Sequence, residues 1–449
     1  MKTPAKDIHH VVPPKNLNIL LTNGRFPASL DLARQLRKAG HNVLSVDPMK
    51  YHVCKFSIDV NKSWQTPAPS RDPAGYVKAV KKVIRKACVD MIIPIHEEIF
   101  YLAESGDPEI VQRLFAPPFA LLYQLHNKWE FQQLLRHCRL GTPETHLCTT
   151  RADVERLDRN AEWALKPILG RACSGLCHLK PGREPDWNTI ELSPEHPYVA
   201  QEWVRGNRYC TYGVFRNGRV QAFGVYPVLE TIDGSSSVYF ESTEHDGIRE
   251  YATTLASELQ FTGQMALDFI EEGTDEGSEV RDSPRGLYRH FGDRLRRLKP
   301  SPSKEQDGSR SSATSPAPPP RRLIAIDCNP RATSGIHLWS GTPNLAFAFQ
   351  DTDCMLPELD AQPGSARQTA PGMLMWEHRQ TNARRYFQHL KRLLRARDVI
   401  WSVRDLGPVL LQPFLLASYY RICHDMGGIP LAEMFQNDLV WSPGFGCKS

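Results

Sequence analysis

The sequence predicts a mixed α/β and α+β protein that opens with a parallel sheet, and three observations support this. Strand-like and helix-like segments alternate between residues 16 and 95. Two apolar, strand-like runs, Gly263 to Asp268 and Ile326 to Arg331, each carry acidic or amide side chains near their ends. The residues between these runs, from 273 to 320, are rich in proline and serine, which favours a long excursion between adjacent strands.

The first domain is predicted from its alternating periodicity. Apolar runs at Asn16 to Thr22, His41 to Asp47 and Met91 to Ile95 are separated by helical patterns at Leu30 to Ala39 and Val77 to Ala87. Strands separated by helices pair in parallel. The turn after the first strand lacks Gly-x-Gly-x-x-Gly, so we do not expect a dinucleotide site there.

Three polar residues, His96, Glu97 and Glu98, follow the third predicted strand. Open α/β sheets place ligands at the carboxyl ends of their strands, so these side chains could face a pocket. Alternatively they are solvated strand-end charges, with Glu98 capping the next helix. The sequence leaves both interpretations open.

Two lysines occupy different contexts. Lys128 starts a helical pattern that stops before Gly141, whereas Lys166 closes an apolar run and precedes a loop of small residues from Gly170 to Gly175. Such a loop lets backbone N–H groups approach phosphate oxygens while a lysine supplies positive charge. It is not a Walker A loop, because no Gly-Lys-Ser or Gly-Lys-Thr follows. A solvated strand-end charge is the alternative for Lys166.

The Asp-x-Asn pattern at Asp327 and Asn329 suits a hard cation. On a strand these two side chains point to one face, and Arg331 continues that face if the strand does. Proteins usually bind Mg²⁺ through one or two carboxylates plus phosphate oxygens. Asp-x-Asn also occurs in turns, so the choice between a cation site and a turn depends on the residues upstream of this pattern.

The order of these features resembles the ATP-grasp superfamily, which includes D-alanine:D-alanine ligase, biotin carboxylase and carbamoyl phosphate synthetase. The resemblance lies in Lys128, Lys166 with its loop, the strand from Gln201 to Val204, Asp268, and the run from Asp327 to Arg331. It implies a tail at 1–15, a pre-ATP-grasp α/β domain at 16–125, a two-subdomain ATP-grasp domain at 126–350 with a flexible insertion at about 273–320, and a mostly helical C-terminal extension at 351–449.

The resemblance also implies residue roles. Nucleotide contacts fall to Lys128, Lys166, Gly170, Ser174, Gly175, Gln201, Glu202, Val204 and Arg208. Mg²⁺ or Mn²⁺, expected as two ions, would be held by Asp268, Asp327 and Asn329, and catalytic roles fall to Arg331 and Lys166.

Two positions depart from the family pattern. Ligases of this family often carry an acidic residue after the Gly-x of the hinge, which is Gly206-Asn207 here, and this residue holds the ribose. In this sequence the position is Arg208, whose side chain has no hydrogen-bond acceptor. Either Glu202 or Asn207 holds the ribose, or Arg208 points elsewhere. The metal position usually filled by glutamate is Asp327, whose carboxylate is one methylene shorter.

The implied activity is that of an ATP-dependent ligase that activates a carboxylate as an acylphosphate and joins it to an amine or similar nucleophile. Amino acids are candidate substrates, and the style of sequence suggests fungal natural-product or amino-acid biosynthesis. Two alternatives remain: a bicarbonate-activating carboxylase or carbamoyl-phosphate-type enzyme, and a catalytically silent ATP-binding scaffold.

The charge and cysteine content of the chain indicate which binding partners are not expected. The 449 residues suit two or three domains, and 55 basic against 50 acidic residues give a net charge of only +5, which favours neither nucleic acid nor a membrane surface. Eleven cysteines without a Cys-x-x-Cys pair indicate reduced intracellular thiols, and we expect a cytoplasmic protein. Cys173, Cys177 and His178 lack a fourth ligand, so zinc is not expected.

The sequence leaves two interpretations open for each of two later segments. The 273–320 insertion is either an inert surface excursion or a docking element. A basic helix is predicted around Arg384 to Arg397, either as an amphipathic packing helix or as a calmodulin-type target. Its predicted apolar face consists of Phe387, Leu390, Leu393 and Leu394. A further buried helix is predicted from Leu410 to Ile422, ended by residues 425–428.

Overall fold

The structure, a computed structural model, describes residues 16–170, 175–232, 236–273, 321–350, 359–374, 383–429 and 431–443. The predicted N-terminal tail and almost all of the 273–320 insertion lie outside these ranges, so both expectations stay predictions. Within these ranges, no helix is long and apolar enough to cross a membrane.

The N-terminal domain contains the predicted parallel sheet. Its strands are β1 (Asn18–Thr22), β2 (Asn42–Asp47), β3 (Lys62–Gln65) and β4 (Met91–Ile93), in the order β3-β2-β1-β4. All neighbouring strands run parallel, which confirms the prediction. The helices are α1 (Pro27–Lys38), α2 (Pro73–Ala87), α3 (Glu98–Glu104), α4 (Pro108–Val111) and α5 (Phe119–His126), with a 3-10 turn at Val53–Phe56.

Local chemistry explains where α2 begins and ends. The Asp72 side chain accepts a hydrogen bond from the Gly75 N–H at 2.9 Å, and Pro73 occupies the first turn, where its missing N–H costs nothing. Cys88 ends the helix in a left-handed conformation. The buried side of α2, which includes Val80 and Ile84, packs on the sheet.

The second sheet is antiparallel and carries Lys166. It consists of β5 (Thr145–Cys148), β6 (Trp163–Pro167), β7 (Cys177–Leu179) and β8 (Tyr198–Glu202), in the order β5-β8-β6-β7. The accompanying helices are α6 (Lys128–His137) and α7 (Arg151–Glu155), with a 3-10 turn at Trp187–Thr189. Helix α6 begins at Lys128, as the sequence predicts.

The third sheet brings the two predicted acidic strands together. Its long strands are β9 (Gly206–Arg216), β10 (Arg219–Pro227), β14 (Gly263–Glu272) and β15 (Leu323–Asn329), and the order is β15-β14-β9-β10-β16. Short strands β11 (Thr231–Ile232), β12 (Ser236–Ser237) and β13 (Tyr239–Glu241) precede α8 (Asp246–Glu258). One face packs on α6 and α8 through a core that includes Phe215, Met265 and Phe269. Part of the other face packs in a second apolar core that includes Tyr212, Val214 and Tyr226.

The C-terminal part contains helices and short strands. They are a 3-10 turn at Ser334–Trp339, α9 (Asn344–Phe347), β16 (Leu359–Asp360), β17 (Ala366–Gln368), α10 (Ala370–Leu374), α11 (Ala383–Arg395), β18 (Arg397–Asp398), α12 (Gly407–Leu410), α13 (Gln412–Asp425) and α14 (Leu431–Asn437). Strand β16 extends the third sheet, and β17 pairs with β13 and β18. Helix α13 confirms the helix predicted near Leu410 to Ile422, but only one side of it, with Leu415, Tyr419 and Cys423, is buried.

The predicted packing face of α11 is only partly confirmed: Leu393 packs against a buried cluster that includes Val238 and Tyr239. Phe387 and Leu394 are 67% and 79% exposed, whereas His389 is buried. The reason is the buried carboxylate of Glu230, which lies 2.6 Å from an Arg392 Nη1 and 3.2 Å from the His389 Nδ1. A buried carboxylate needs cationic or hydrogen-bonding partners, so the helix turns its polar side inward.

Candidate functional site

A cavity of about 330 Å³ lies where the N-terminal sheet meets the third sheet. The N-terminal domain contributes Phe26 and His96, and the third sheet contributes Asp268 and Asp327. A larger groove of about 580 Å³ lies along β5 and contains neither predicted metal carboxylate. We place the candidate site at the smaller cavity because the predicted metal residues converge there.

Asp268 and Asp327 are direct partners on neighbouring antiparallel strands, one residue before an irregularity in the β14–β15 pairing. Asn329, opposite Ala266 on the same ladder, lines the same cavity. The structure thus places Asp327 and Asn329 on one face, as predicted from their spacing. Desolvation and the nearby charge of Asp327 raise the pKa of Asp268.

This donor set fits a hard divalent cation. In the described ranges no group of three His, Cys, Asp or Glu side chains forms a metal cluster, so the protein would supply two carboxylates and one amide oxygen. Mg²⁺ keeps several waters and binds phosphate oxygens, so it requires few protein ligands. A cation here would also offset the repulsion that raises the Asp268 pKa.

Lys128 approaches the metal pair from the start of α6. The Asn127 side chain caps this helix by accepting from the Trp129 and Glu130 N–H groups at 3.0 and 3.2 Å. The buried Lys128 ammonium donates to the Gly170 carbonyl at 2.7 Å and lies 3.5 Å from the Asp327 Oδ1. It therefore connects the small-residue loop to a predicted metal ligand.

Lys166 reaches the same strand from the second sheet. Its ammonium donates to the Ile326 carbonyl at 3.1 Å, immediately before Asp327. This position favours the phosphate role over a purely solvated charge. Gln201, opposite Ala164 on β8, lies on the Lys166 face of the sheet, and its buried Nε2 has no hydrogen-bond partner in the described structure. An acceptor atom of a nucleotide would satisfy this donor, so the site also fits ATP.

The loop after Lys166 is only partly described. Gly175 has a φ of +72°, and a Cβ at this position would lie 2.9 Å from the Pro167 Cγ, so glycine is required. Ser174 falls within residues 171–174, outside the described ranges, and its predicted phosphate contact stays a prediction. Gly170 contributes the carbonyl that Lys128 binds.

Two of the predicted nucleotide-binding residues, Glu202 and Val204, lie at or just after the end of β8. The Glu202 carboxylate pairs with Arg322 and accepts from the Glu144 N–H at 3.1 Å, on the sheet face opposite Lys166. Val204 is buried just after β8. The nucleotide contacts of Glu202 and Val204 stay predictions.

Arg208 lies two residues before Cys210, the strand partner of Asp268, and its charge opposes the rise in the Asp268 pKa. This charge effect, together with its strand position, favours the alternative that Arg208 points elsewhere, toward Asp268. Asn207 is exposed at the start of β9.

Arg331 is buried beyond the end of β15 and lines the cavity. The strand stops at Asn329, and a turn in which the Arg331 N–H bonds the Asn329 carbonyl at 2.8 Å keeps the guanidinium on the cavity side. An arginine here can bind an anion beside the predicted metal site.

The alternative of solvated charges after β4 is wrong, because His96, Glu97 and Glu98 are all buried. His96 lines the cavity and stacks on Phe26 at 5.1 Å. Glu98 is fully buried and accepts hydrogen bonds from the Thr22 hydroxyl and the Ile95 N–H at 2.5 and 2.8 Å, so it is structural. Only the histidine is positioned to contact a ligand in the cavity.

Several cavity residues were missed by the sequence interpretation. Cys210 lies opposite Asp268, its thiol is hydrogen-bonded to that carboxylate, and desolvation together with the Asp268 charge raises the Cys210 pKa well above its usual range. The sequence signal for Cys210 was its position two residues after Arg208 on the same strand. Gln436 also lines the cavity, and nothing in its local sequence indicates this.

The cluster considered for zinc has another arrangement. His178 Nε2 lies 2.7 Å from Glu162, and the His178 ring stacks on Trp203 at 3.5 Å. These contacts hold the hinge next to β8. Cys173 lies outside the described residues.

No protein-family model and no curated protein matches the sequence. Solved structures do match. The N5-carboxyaminoimidazole synthetase of Staphylococcus aureus, complexed with ADP, superimposes with a TM-score of 0.54 at 12% identity, over 79% of this chain and 83% of that one. The biotin carboxylase of Campylobacter jejuni gives 0.52 at 12%, over 76% and 72%.

A third neighbour was solved with nucleotide, metal and bicarbonate. The biotin carboxylase domain of the Hydrogenobacter thermophilus 2-oxoglutarate carboxylase, solved with MgADP and bicarbonate, gives a TM-score of 0.51 at 9% identity, over 78% and 74% of the two chains. All three are ATP-grasp enzymes. The chain therefore has the ATP-grasp fold, as the order of its motifs predicts.

Proposed function

We propose that the protein is an ATP-dependent ligase that activates a carboxylate as an acylphosphate and transfers the acyl group to an amine or similar nucleophile. The observation that carries the proposal is the pairing of Asp268 with Asp327, approached by Lys128 and by Lys166 at the preceding carbonyl. Two carboxylates and two lysines from separate elements suit a metal-bound polyphosphate.

In this proposal the substrate carboxylate oxygen attacks the γ-phosphorus of ATP, and ADP leaves. The nucleophile then attacks the acyl carbon, and phosphate leaves. Phosphoryl transfer depends mainly on positioning and charge neutralisation, so the site needs cations more than a strong base. Mg²⁺ or Mn²⁺, when bound, would screen charge between the phosphates and the incoming anion.

The chain's own residues would divide these tasks. Lys128 and Lys166 would bind the phosphates, and Asp268, Asp327 and Asn329 would hold up to two ions. Arg331 would stabilise negative charge on the acylphosphate or its tetrahedral adduct. Asp327 is already 3.5 Å from Lys128, so cation binding and phosphate binding would be coupled.

Bicarbonate is the second candidate for the activated carboxylate. Its support is that two fold neighbours are carboxylase components and one was solved with bicarbonate. Cytoplasmic location, amino-acid substrates and a role in secondary metabolism belong to the proposal as expectations.

Acceptor-dependent ADP release tests the proposal. Purified protein, ATP and Mg²⁺ would be incubated with single and paired amino acids, and separately with bicarbonate plus amines, while ADP is monitored. We expect ADP release that requires both a carboxylate and a nucleophile. Tight ATP binding without acceptor-dependent release in any mixture would favour the silent scaffold.

A further inference from the structure

The last described residues, 431–443, lie across the N-terminal domain and reach the cavity. We call them the C-terminal segment. It contains α14, and its Gln436 lines the cavity together with Phe26 and His96. A segment more than 300 residues away in sequence from His96 thus belongs to the same cavity wall.

An ion pair fastens the segment beside the cavity. The buried Arg25 guanidinium lies 2.7 Å from the Asp438 carboxylate and 2.7 Å from Asp47 at the end of β2. The Ser70 N–H donates to the Asp438 carbonyl at 3.2 Å. Gln436 is therefore held two residues from a buried, charge-assisted attachment.

A second attachment lies at Trp441. Its indole N–H donates to Glu104 at 2.9 Å, and its backbone N–H donates to Glu97 at 3.1 Å. The ring packs on Phe100 at 5.3 Å, and the Tyr101 hydroxyl donates to the Val440 carbonyl at 2.6 Å. Both attachments follow α14 in the chain, so they hold the C-terminal end of this helix against the N-terminal domain.

An aromatic row connects α14 to the cavity wall. Phe435 lies 6.3 Å from Phe26, which stacks on His96. Gln436 follows Phe435, and its side chain borders the cavity from the same wall. This wall contains aromatic and amide groups, whereas the facing sheet supplies the metal carboxylates.

Lys128 and Lys166 approach the candidate site from outside this cavity. Among the described residues that border it there is no lysine. Lys128 and Lys166 instead reach Asp327 and the carbonyl before it from α6 and β6. Polyphosphate on the lysine side would meet the cavity at Asp268 and Asp327, leaving the cavity itself for the second substrate.

We propose that Gln436 contacts the second substrate and that the C-terminal segment forms the outer wall of its pocket. The assignment of a second substrate rests on the proposed ligase function. A glutamine amide both donates and accepts hydrogen bonds, so the ligand it fits is a small polar molecule. Gln436 is then a specificity-determining residue, and Asp438 and Trp441 are positioning residues.

Access to Cys210 tests the wall without any knowledge of the substrate. Cys210 lines the same cavity, and the exposed Cys88 provides an internal reference. Because its raised pKa slows the reaction of Cys210, each protein would be treated with excess methyl methanethiosulfonate over a time course long enough to label wild-type Cys210, and the labelling rates of the two cysteines would be compared by peptide mass spectrometry. We expect Gln436→Trp to slow Cys210 labelling relative to Cys88 by at least about threefold, because a larger side chain fills the mouth of the pocket.

The matched control is Glu433→Trp, an exposed position of the same helix that does not line the cavity, which should leave the ratio unchanged. Equal Cys210 labelling in wild type, Gln436→Trp and Glu433→Trp would overturn the proposal. A fall in both variants would also overturn it, because the effect would then not depend on the cavity-facing position.

The second measurement compares acceptor use. With the amino acids and bicarbonate mixtures described above, Gln436→Ala should raise the acceptor KM by roughly three- to tenfold, the usual effect of one neutral hydrogen bond, with the KM for ATP unchanged. Glu433→Ala should match wild type in both. An unchanged acceptor KM in Gln436→Ala would overturn the contact.

The two proposals fail separately. If wild type releases no ADP with any mixture, the ligase function loses its support, while the labelling ratio still decides whether Gln436 closes the cavity.

Discussion

Replacing Asp268 by asparagine should stabilise the ligand-free protein and abolish turnover. The wild-type carboxylate lies opposite Asp327 and is desolvated in the cavity wall, and both effects raise its pKa. Asparagine keeps the shape and removes the charge. The folded protein then no longer has to hold two neighbouring carboxylates without a cation.

The size of the expected stabilisation by Asp268→Asn follows from the strand register. Direct partners on antiparallel strands have Cβ atoms about 5 Å apart, and two unit charges at that distance repel by about 3 kcal/mol at an effective dielectric constant near 20. Lys128, at 3.5 Å from Asp327, offsets part of this repulsion. We therefore expect Asp268→Asn to raise the free energy of unfolding by roughly 1–2 kcal/mol at neutral pH.

The pH dependence has a definite sign. A carboxyl whose pKa is higher in the folded protein than in the unfolded chain costs no stability while it is protonated in both states. The cost appears as pH rises through the unfolded pKa and is complete above the raised folded pKa of Asp268. The advantage of Asp268→Asn should therefore vanish in acid and reach a plateau above the folded pKa.

Urea unfolding with EDTA, followed by tryptophan fluorescence at several pH values, measures this difference. Added Mg²⁺ and ADP provide the control, because ligand that binds the folded state should stabilise wild type and leave the variant almost unchanged. An Asp268→Asn protein that is less stable than wild type at neutral pH, or that retains metal-dependent turnover, would refute the reasoning.

Three further predictions concern the same site. Asp327→Ala should abolish turnover while circular dichroism shows an intact fold, and wild-type rates from that variant would remove Asp327 from the metal site. Lys166→Met should weaken binding of a fluorescent ATP analogue by roughly ten- to hundredfold, because one charge-assisted contact is lost, with little change in Tm; equal Kd values would exclude the phosphate role. Deleting residues 277–319 and joining the ends with a short Gly-Ser turn should keep turnover within a few fold, since β14 and β15 already pair from Glu271 and Leu323 onward; loss of folding would contradict this.

Elements with strong periodicity could be predicted from the sequence. Strands β1, β2 and β4 and helices α1, α2 and α6 lie where the apolar patterns place them. Strand β3 was not predicted, because its residues Lys-Ser-Trp-Gln have little apolar character and pair only along one edge of the sheet. Local pattern does not report pairing that depends on a neighbouring strand.

The remaining errors and omissions come from contacts between distant residues. Arg25 and Asp438 are 413 positions apart, so no local spacing indicates that α14 reaches the cavity. Likewise, the orientation of α11 depends on Glu230, which is 162 positions from Arg392. A single sequence shows which residues are amphipathic, but the partner that a face meets is set by the tertiary fold.

The arginine at position 208 becomes understandable through the charge of the whole site. Lys128 contacts Asp327, Lys166 and Arg208 both lower the pKa of Asp268, and Arg331 lines the same cavity. Within this cluster, four basic side chains thus outnumber two carboxylates by two. A polyphosphate would neutralise this excess, whereas an additional ribose-binding carboxylate at position 208 would have increased the repulsion that Asp268 already experiences. In the proposed function, arginine at this position therefore favours phosphate binding, and we expect groups outside this cluster to hold the ribose.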